Sequence, residues 1–216
     1  MNRAELKALA KQQIKGNIGI LFVIMLLVAL ITGAVGGIIP GVGAAAVTFV
    51  LAPAFSLSIY SIYLALAQGK KPEIKDMFGG FSDFWSAFKV TFLVDLFTSL
   101  WSLLFVIPGI VKACSYSQAM YILAENPKMS AREAINRSKE MMEGHKMDYF
   151  VLNLSFIGWA FLAPFTFGLL YIWLVPYMQA TLTNFYNSVK PQVVVEGPEA
   201  PVYEPVAEPV LNGEAE

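Results

Sequence analysis

Six apolar stretches run along the chain, joined by two kinds of connector. They cover residues 18–39, 44–67, 88–107, 110–125, 147–163 and 169–188. Gly/Pro turns link them in pairs: Pro40-Gly41-Val42-Gly43, Pro108-Gly109, and residues 164–168. Longer charged segments link one pair to the next. An α-helix needs about 20 apolar residues to cross a hydrocarbon core of about 30 Å. Five stretches approach that length. The fourth, at roughly 16 residues, rises only about 24 Å, so the second pair is expected to cross incompletely or where the membrane is thinned. The pattern predicts an all-α polytopic membrane protein: six transmembrane helices in three Gly/Pro-turned hairpins, with amphipathic interfacial helices added.

Two polar segments have helical periodicity. In residues 1–17, Lys7, Lys11 and Lys15 share one face of a helix, while Leu6, Leu9, Ala10 and Ile14 share another. A basic amphipathic helix beside a span is expected on the cytoplasmic leaflet, drawn to anionic lipid. In residues 130–144, Ser130-Ala131-Arg132-Glu133 reads as a capping box. The helix it opens gathers Ala134, Ile135, Ser138, Met141 and Met142 on one face, and Gly144 is its expected stop. Residues 81–89 (FSDFWSAFK) predict an interfacial turn or short helix with Trp85 at headgroup level. The domain organisation is therefore an amphipathic helix (1–17), a six-helix membrane domain (18–189) and a tail (190–216). In the tail, prolines at 191, 198, 201, 205 and 209 alternate with glutamates, a composition that predicts disorder.

Charge turns this pattern into an orientation. Only 14% of the 216 residues are charged, against 56% hydrophobic. Of the 15 Lys and Arg, all but Lys112 fall before the first stretch, between the pairs (Lys89 at the very start of the third stretch), or after the last. With six crossings those segments share one side, which the positive-inside rule makes cytoplasmic. Both termini are then expected on the cytoplasmic side. The net charge of −1 conceals a split, because from Lys190 onward one cation faces six glutamates.

Residues 100–159, LWSLLFVIPGIVKACSYSQAMYILAENPKMSAREAINRSKEMMEGHKMDYFVLNLSFIGW, resemble an uncharacterised bacterial integral membrane family, domain of unknown function 975. The IPG turn, the SAREAI helix and the EGHK end carry the likeness, and LLYIWLVPYMQATLTNFY at 169–186 extends it. The resemblance implies a small multi-span bacterial protein and supplies no catalytic or ligand residues.

Candidate chemistry is sparse. Asp95 lies inside the third stretch, where a charge costs roughly 2.5–3.5 kcal/mol on insertion scales. Thr91, Asp95, Thr98, Ser99 and Ser102 share a helical face that should meet protein or a wet cavity. That face suits an ion, proton or substrate site, or an interhelical bond that fixes packing. Lys112 can snorkel to the outer interface; with the turn at Pro108-Gly109, it lies well over 10 Å in depth from Asp95. Arg132, Arg137 and His145 form a candidate interaction surface between the fourth and fifth stretches. With one Cys and one His, no Cys/His metal cluster forms, and no cofactor is expected. No phosphate-binding glycine loop, HExxH, GxSxG or paired catalytic carboxylate occurs, so no enzyme is expected. The expected partners are a bilayer with anionic lipid at the cytoplasmic face and a membrane or cytoplasmic protein, not nucleic acid. Two functions stay open: a non-catalytic membrane scaffold or interaction protein, and a small-solute or ion transporter or channel built on Asp95.

Overall fold

The computed structural model describes residues 2–38, 42–104, 106–162, 164–166, 168–194 and 202–204. The elements are α1 (Arg3–Ile14), α2 (Ile18–Ile38), α3 (Val42–Ala67), a 3₁₀ segment (Ile74–Phe81), α4 (Phe84–Leu104), α5 (Val106–Tyr116), α6 (Ala119–Glu125), α7 (Ala131–Met141), α8 (Lys146–Leu162), a 3₁₀ turn (Pro164–Thr166) and α9 (Leu169–Val189). The short strands β1 (Gln192–Val194) and β2 (Val202–Glu204) pair antiparallel within the tail. The rest of the tail, where disorder is expected, and Pro40-Gly41 of the first turn lie outside the described residues. The protein is thus helical almost throughout, as the periodicity requires. Among the described residues, two helical segments are long and apolar enough to cross a membrane, Phe49–Ala67 and Phe84–Leu103. A third joins them if α1 and α2, bent by 87° at their junction, count as one.

α1 opens on a reciprocal cap that the sequence reading did not anticipate. Asn2 accepts from the Ala4 N–H at 3.4 Å, and Glu5 accepts from the Asn2 N–H at 3.1 Å. Its apolar face is packed against protein, not left for lipid. Leu6, Ala10 and Ile14 are buried in a core with Leu21 and Ile24 of α2, Phe55 and Ile62 of α3, and Tyr177 and Phe185 of α9. A second core lies on the other side of α3, where Leu57 and Leu64 meet Ala87 and Val90 of α4, Ile122 and Leu123 of α6, and Ala134 and Ile135 of α7.

The connector after α3 doubles back along it. The Gly80 N–H donates to Ser58 Oγ at 2.8 Å, and Ser58 Oγ donates to the Ala54 carbonyl at 3.0 Å. A Cβ at Gly80 would stand 2.1 Å from that carbonyl, so only glycine allows this approach. The Phe88 ring then meets Phe49 edge-on at 5.5 Å. Residues 81–89 are accordingly no separate interfacial helix. α4 already begins at Phe84, with Trp85 in its first turn and 67% exposed.

Pro108-Gly109 lies inside a helix, α5, and does not form the turn of the second hairpin. Pro108 sits in the first turn of α5, where its missing N–H would be unbonded in any case. Gly109 is a packing residue: a Cβ there would lie 2.2 Å from Ser102 Oγ and 2.8 Å from Ser102 Cα. The contacts Ser102–Gly109, Phe97–Tyr116 and Thr91–Met120 set one antiparallel register along α4. The returning arm is therefore α5 plus α6, residues 106–125, about 30 Å long at helical rise, and not the short 16-residue span expected. It breaks at Ser117-Gln118. There Ser138 of α7 supplies what the broken ladder lacks: its hydroxyl donates to the Ser115 carbonyl at 2.8 Å and accepts from the Gln118 N–H at 3.2 Å.

α7 buries Ala131, Ala134, Ile135 and Ser138, close to the face read from the sequence. Only half of its capping box forms. Ser130 Oγ accepts from the Glu133 N–H at 3.3 Å, but the Glu133 carboxylate bonds Arg137 at 3.1 Å instead of reaching back. Gly144 (φ +80°) and Gly168 (φ +82°) take left-handed backbone at the ends of α7 and the third turn, as expected of glycine there.

Candidate functional site

The residues read as an intramembrane polar stripe meet different surroundings. α4 spends one face on α6 and α7, through Ala87 and Val90, and Thr91 Oγ1 donates to Met120 Sδ at 3.9 Å. Ser102 packs against Gly109 of α5. Asp95 and Ser99 are exposed, and the neighbouring Leu96, Phe97 and Leu100 are exposed as well. Among the described residues Asp95 has no hydrogen-bond or ion-pair partner. Thr91 and Ser102 lie on the side of α4 that meets α5 and α6, and Asp95 and Ser99 lie on its exposed flank. Thr98 Oγ1 alone is buried, and it has no partner.

Lys112 lies closer to Asp95 in depth than a turn at Pro108-Gly109 implies. With the register Ser102–Gly109, Lys112 is level with about Ser99, one helical turn, or about 6 Å, from Asp95. Its ammonium rests over the Trp101 ring at 5.0 Å, a cation–π contact. No ion pair joins it to Asp95 among the described residues.

Arg132, Arg137 and His145 do not form a convergent site either. Arg132 is exposed on α7. Arg137 pairs with Glu133 one turn earlier, at 3.1 Å. His145 Nδ1 faces Asp148 at 3.8 Å, both well exposed. These side chains make a solvated charged face. No group of three or more His, Cys, Asp or Glu among the described residues is placed to hold a metal.

Two polar clusters gather residues that the sequence shows only as scattered polar positions inside apolar stretches, Tyr60, Tyr63, Gln118, Gln179 and Asn184 among them. The first is centred on Tyr121, whose hydroxyl accepts from Gln179 Nε2 at 3.1 Å and Thr183 Oγ1 at 3.3 Å. Its ring stacks on Tyr186 at 5.0 Å and meets Tyr60 edge-on at 4.4 Å. Tyr186 donates to Glu125 Oε2 at 2.7 Å, and Lys190 Nζ reaches the same oxygen. The cluster ties α3, α6 and α9 together. Tyr63 Oη and Gln118 Oε1 are buried without partners. The available signal was the run of tyrosines inside apolar stretches, since a buried phenol normally seeks a partner.

The second cluster holds α1. Gln13 and Asn184 exchange reciprocal amide bonds of 3.0 and 2.9 Å, and Asn184 Nδ2 also donates to the Leu6 carbonyl. Lys7 Nζ donates to Ser155 Oγ at 2.7 Å and lies 4.4 Å above the Phe156 ring. Burial, with Lys11 and Arg3 close by, holds Lys7 below the usual lysine value.

The fold is that of a helical protein with long apolar helices and no metal-holding group of His, Cys, Asp or Glu among its described residues. The chain belongs to the family described as protein of unknown function DUF975, which matches residues 1–115 and 103–192. No curated protein and no solved structure matches it. The resemblance read on residues 100–186 is thereby confirmed, and the family's description carries no activity to transfer.

Proposed function

We propose that this protein is a multi-pass component of a bacterial plasma membrane, with both termini cytoplasmic, acting as a non-catalytic scaffold or interaction protein. The observation that carries the membrane reading is where the uncovered apolar surface lies. Leu26 and Leu30 of α2, Leu96, Leu100, Trp101 and Leu103 of α4, Ile107 and Ile110 of α5, Leu154, Ile157 and Trp159 of α8, and Leu169 of α9 are all exposed. A soluble monomer rarely shows apolar patches beyond a few hundred Å², whereas lipid would cover these helices. The charged elements α1 and α7 bury their apolar faces against protein. The six crossings in this reading are α2, α3, α4, α5 with α6, α8 and α9.

Packing supports a scaffold over a transporter. Most of the polar side chains that a conduction path could use are bonded to protein. Ser58 bonds Ala54 and Gly80, Ser115 bonds Val111, Thr183 bonds Tyr121, and Asn184 bonds Gln13, while Tyr63 Oη and Gln118 Oε1 stay unpaired. Asp95 is exposed on α4, with no partner among the described residues. The partners in this reading are anionic lipid at the cytoplasmic face and a protein docking near Arg132, Arg137 and His145.

The test uses membranes from cells expressing the chain. Resistance to alkaline carbonate extraction is expected, and release into the supernatant would sink the membrane reading. In a Cys114→Ala background, Phe165→Cys should react with an impermeant maleimide from outside, and Lys71→Cys only after permeabilisation. The reverse pattern overturns the orientation. Flux through reconstituted vesicles that is lost in Asp95→Asn would favour transport instead.

A further inference from the structure

We infer that α4 and α5 form a homodimer surface, in which Asp95 of one copy pairs with Lys112 of the other, twice per dimer. This inference rests on the membrane reading above. Three observations converge on it. α4 is by far the less covered of the two candidate spans: 11% of its 18-residue window is buried, against 50% for that in α3. Asp95 stands on that uncovered helix with no partner among the described residues, between Phe92 and Leu96 on one side and Ser99 and Leu100 on the other. A carboxylate among apolar side chains in lipid needs an opposite charge or a hydrogen bond. The cation that can supply it is on the same hairpin. Apart from Lys89 near the start of α4, Lys112 is the one Lys or Arg on α4 and α5, partly exposed on α5 and held within its own copy by the face of Trp101.

The occupant follows from this pair of charges. A surface carrying one unpaired anion and one weakly held cation is complementary to itself under a two-fold rotation, because each copy then offers the charge that the other lacks. A two-fold along the membrane normal leaves depths unchanged. Asp95 and Lys112 differ in depth by about one helical turn, a span that the four-carbon lysine stem can bridge. Around the charges, Leu100, Leu103, Ile107 and Val111 supply an exposed apolar surface for the two hairpins to share.

A charge-swap mixture tests this on the full chain. Asp95→Lys leaves a copy with two cations on this face, and Lys112→Asp leaves one with two anions. Each variant purified alone in mild detergent should be monomeric by light scattering, with self-association weakened at least tenfold from the parent dimer. Co-expressed with different tags, the two should pair and co-purify near the parent level. A pair formed within one copy predicts the opposite, since mixing cannot relieve repulsion inside each chain. A monomeric parent, variants that dimerise alone, or a mixture that fails to pair each overturns the dimer. Carbonate extraction of the same membranes separates the two readings. Chains retained in the pellet but unpaired sink the dimer alone, and chains released sink the membrane assignment as well.

Discussion

Ser138 closes a break in a helix to which it does not belong, donating to the Ser115 carbonyl at 2.8 Å while accepting from the Gln118 N–H at 3.2 Å. The hydroxyl is fully buried. Ser138→Ala therefore strands two backbone groups, each costing about 1–3 kcal/mol when left unpaired. A loss of roughly 2–4 kcal/mol is expected, read as a lowered midpoint of thermal unfolding in detergent micelles. A midpoint within error of the parent would show that water replaces the hydroxyl without cost.

Gly79 and Gly80 are neighbours with opposite tolerance. A Cβ at Gly80 meets the Ala54 carbonyl at 2.1 Å and the Ser58 N–H nitrogen at 2.8 Å, while one at Gly79 meets nothing within 4 Å. Gly80→Ala should destabilise by at least the roughly 1–3 kcal/mol of ordinary overpacking. Gly79→Ala should stay within about 0.5 kcal/mol of the parent. Equal effects in paired unfolding curves would refute the docking of this connector.

At the α4–α5 crossing, Gly109→Ala should force the hairpin apart, because the nearest clash is with Ser102 itself. Ser102→Gly removes the Oγ and Cβ contacts and leaves only the Cα at 2.8 Å, so the double variant should recover part of the loss. Measured coupling of about 0.5–3 kcal/mol is expected for touching residues; strict additivity argues against this register.

The Gln13–Asn184 amide pair joins α1 to α9. Gln13→Leu and Asn184→Leu should each leave the other amide short of partners, and the double variant should cost less than the two singles added. A coupling near 1 kcal/mol is expected for such a bond. Protection of α1 from a protease gives the readout.

Much of this fold follows from spacing alone. The apolar runs become helices, Gly144 and Gly168 take the left-handed backbone their places require, and the stripe on α7 packs nearly as its period dictates. What spacing misreads is the job of an individual glycine or proline. Pro108-Gly109 has the composition of a turn, but Pro108 is equally content in a first helical turn, and Gly109 serves a crossing that only the neighbouring helix reveals. Asp95 was legible as costly but not as outward-facing, because the side of α4 that is buried depends on where α6 and α7 dock. The Tyr121 cluster draws on α3, α6 and α9 and so has no local signature.

The embrace of α9 by α1 joins helices far apart in the chain, across a sequence separation of 171 residues at Gln13 and Asn184. Such a contact cannot form until α9 has been made. A chain cut before Leu169 therefore leaves part of the Leu6, Ala10 and Ile14 face uncovered, a sticky flag far in sequence from the cut. Any quality-control protease or chaperone that reads exposed aliphatic side chains would find it there, so concealment of α1 reports that α9 is in place.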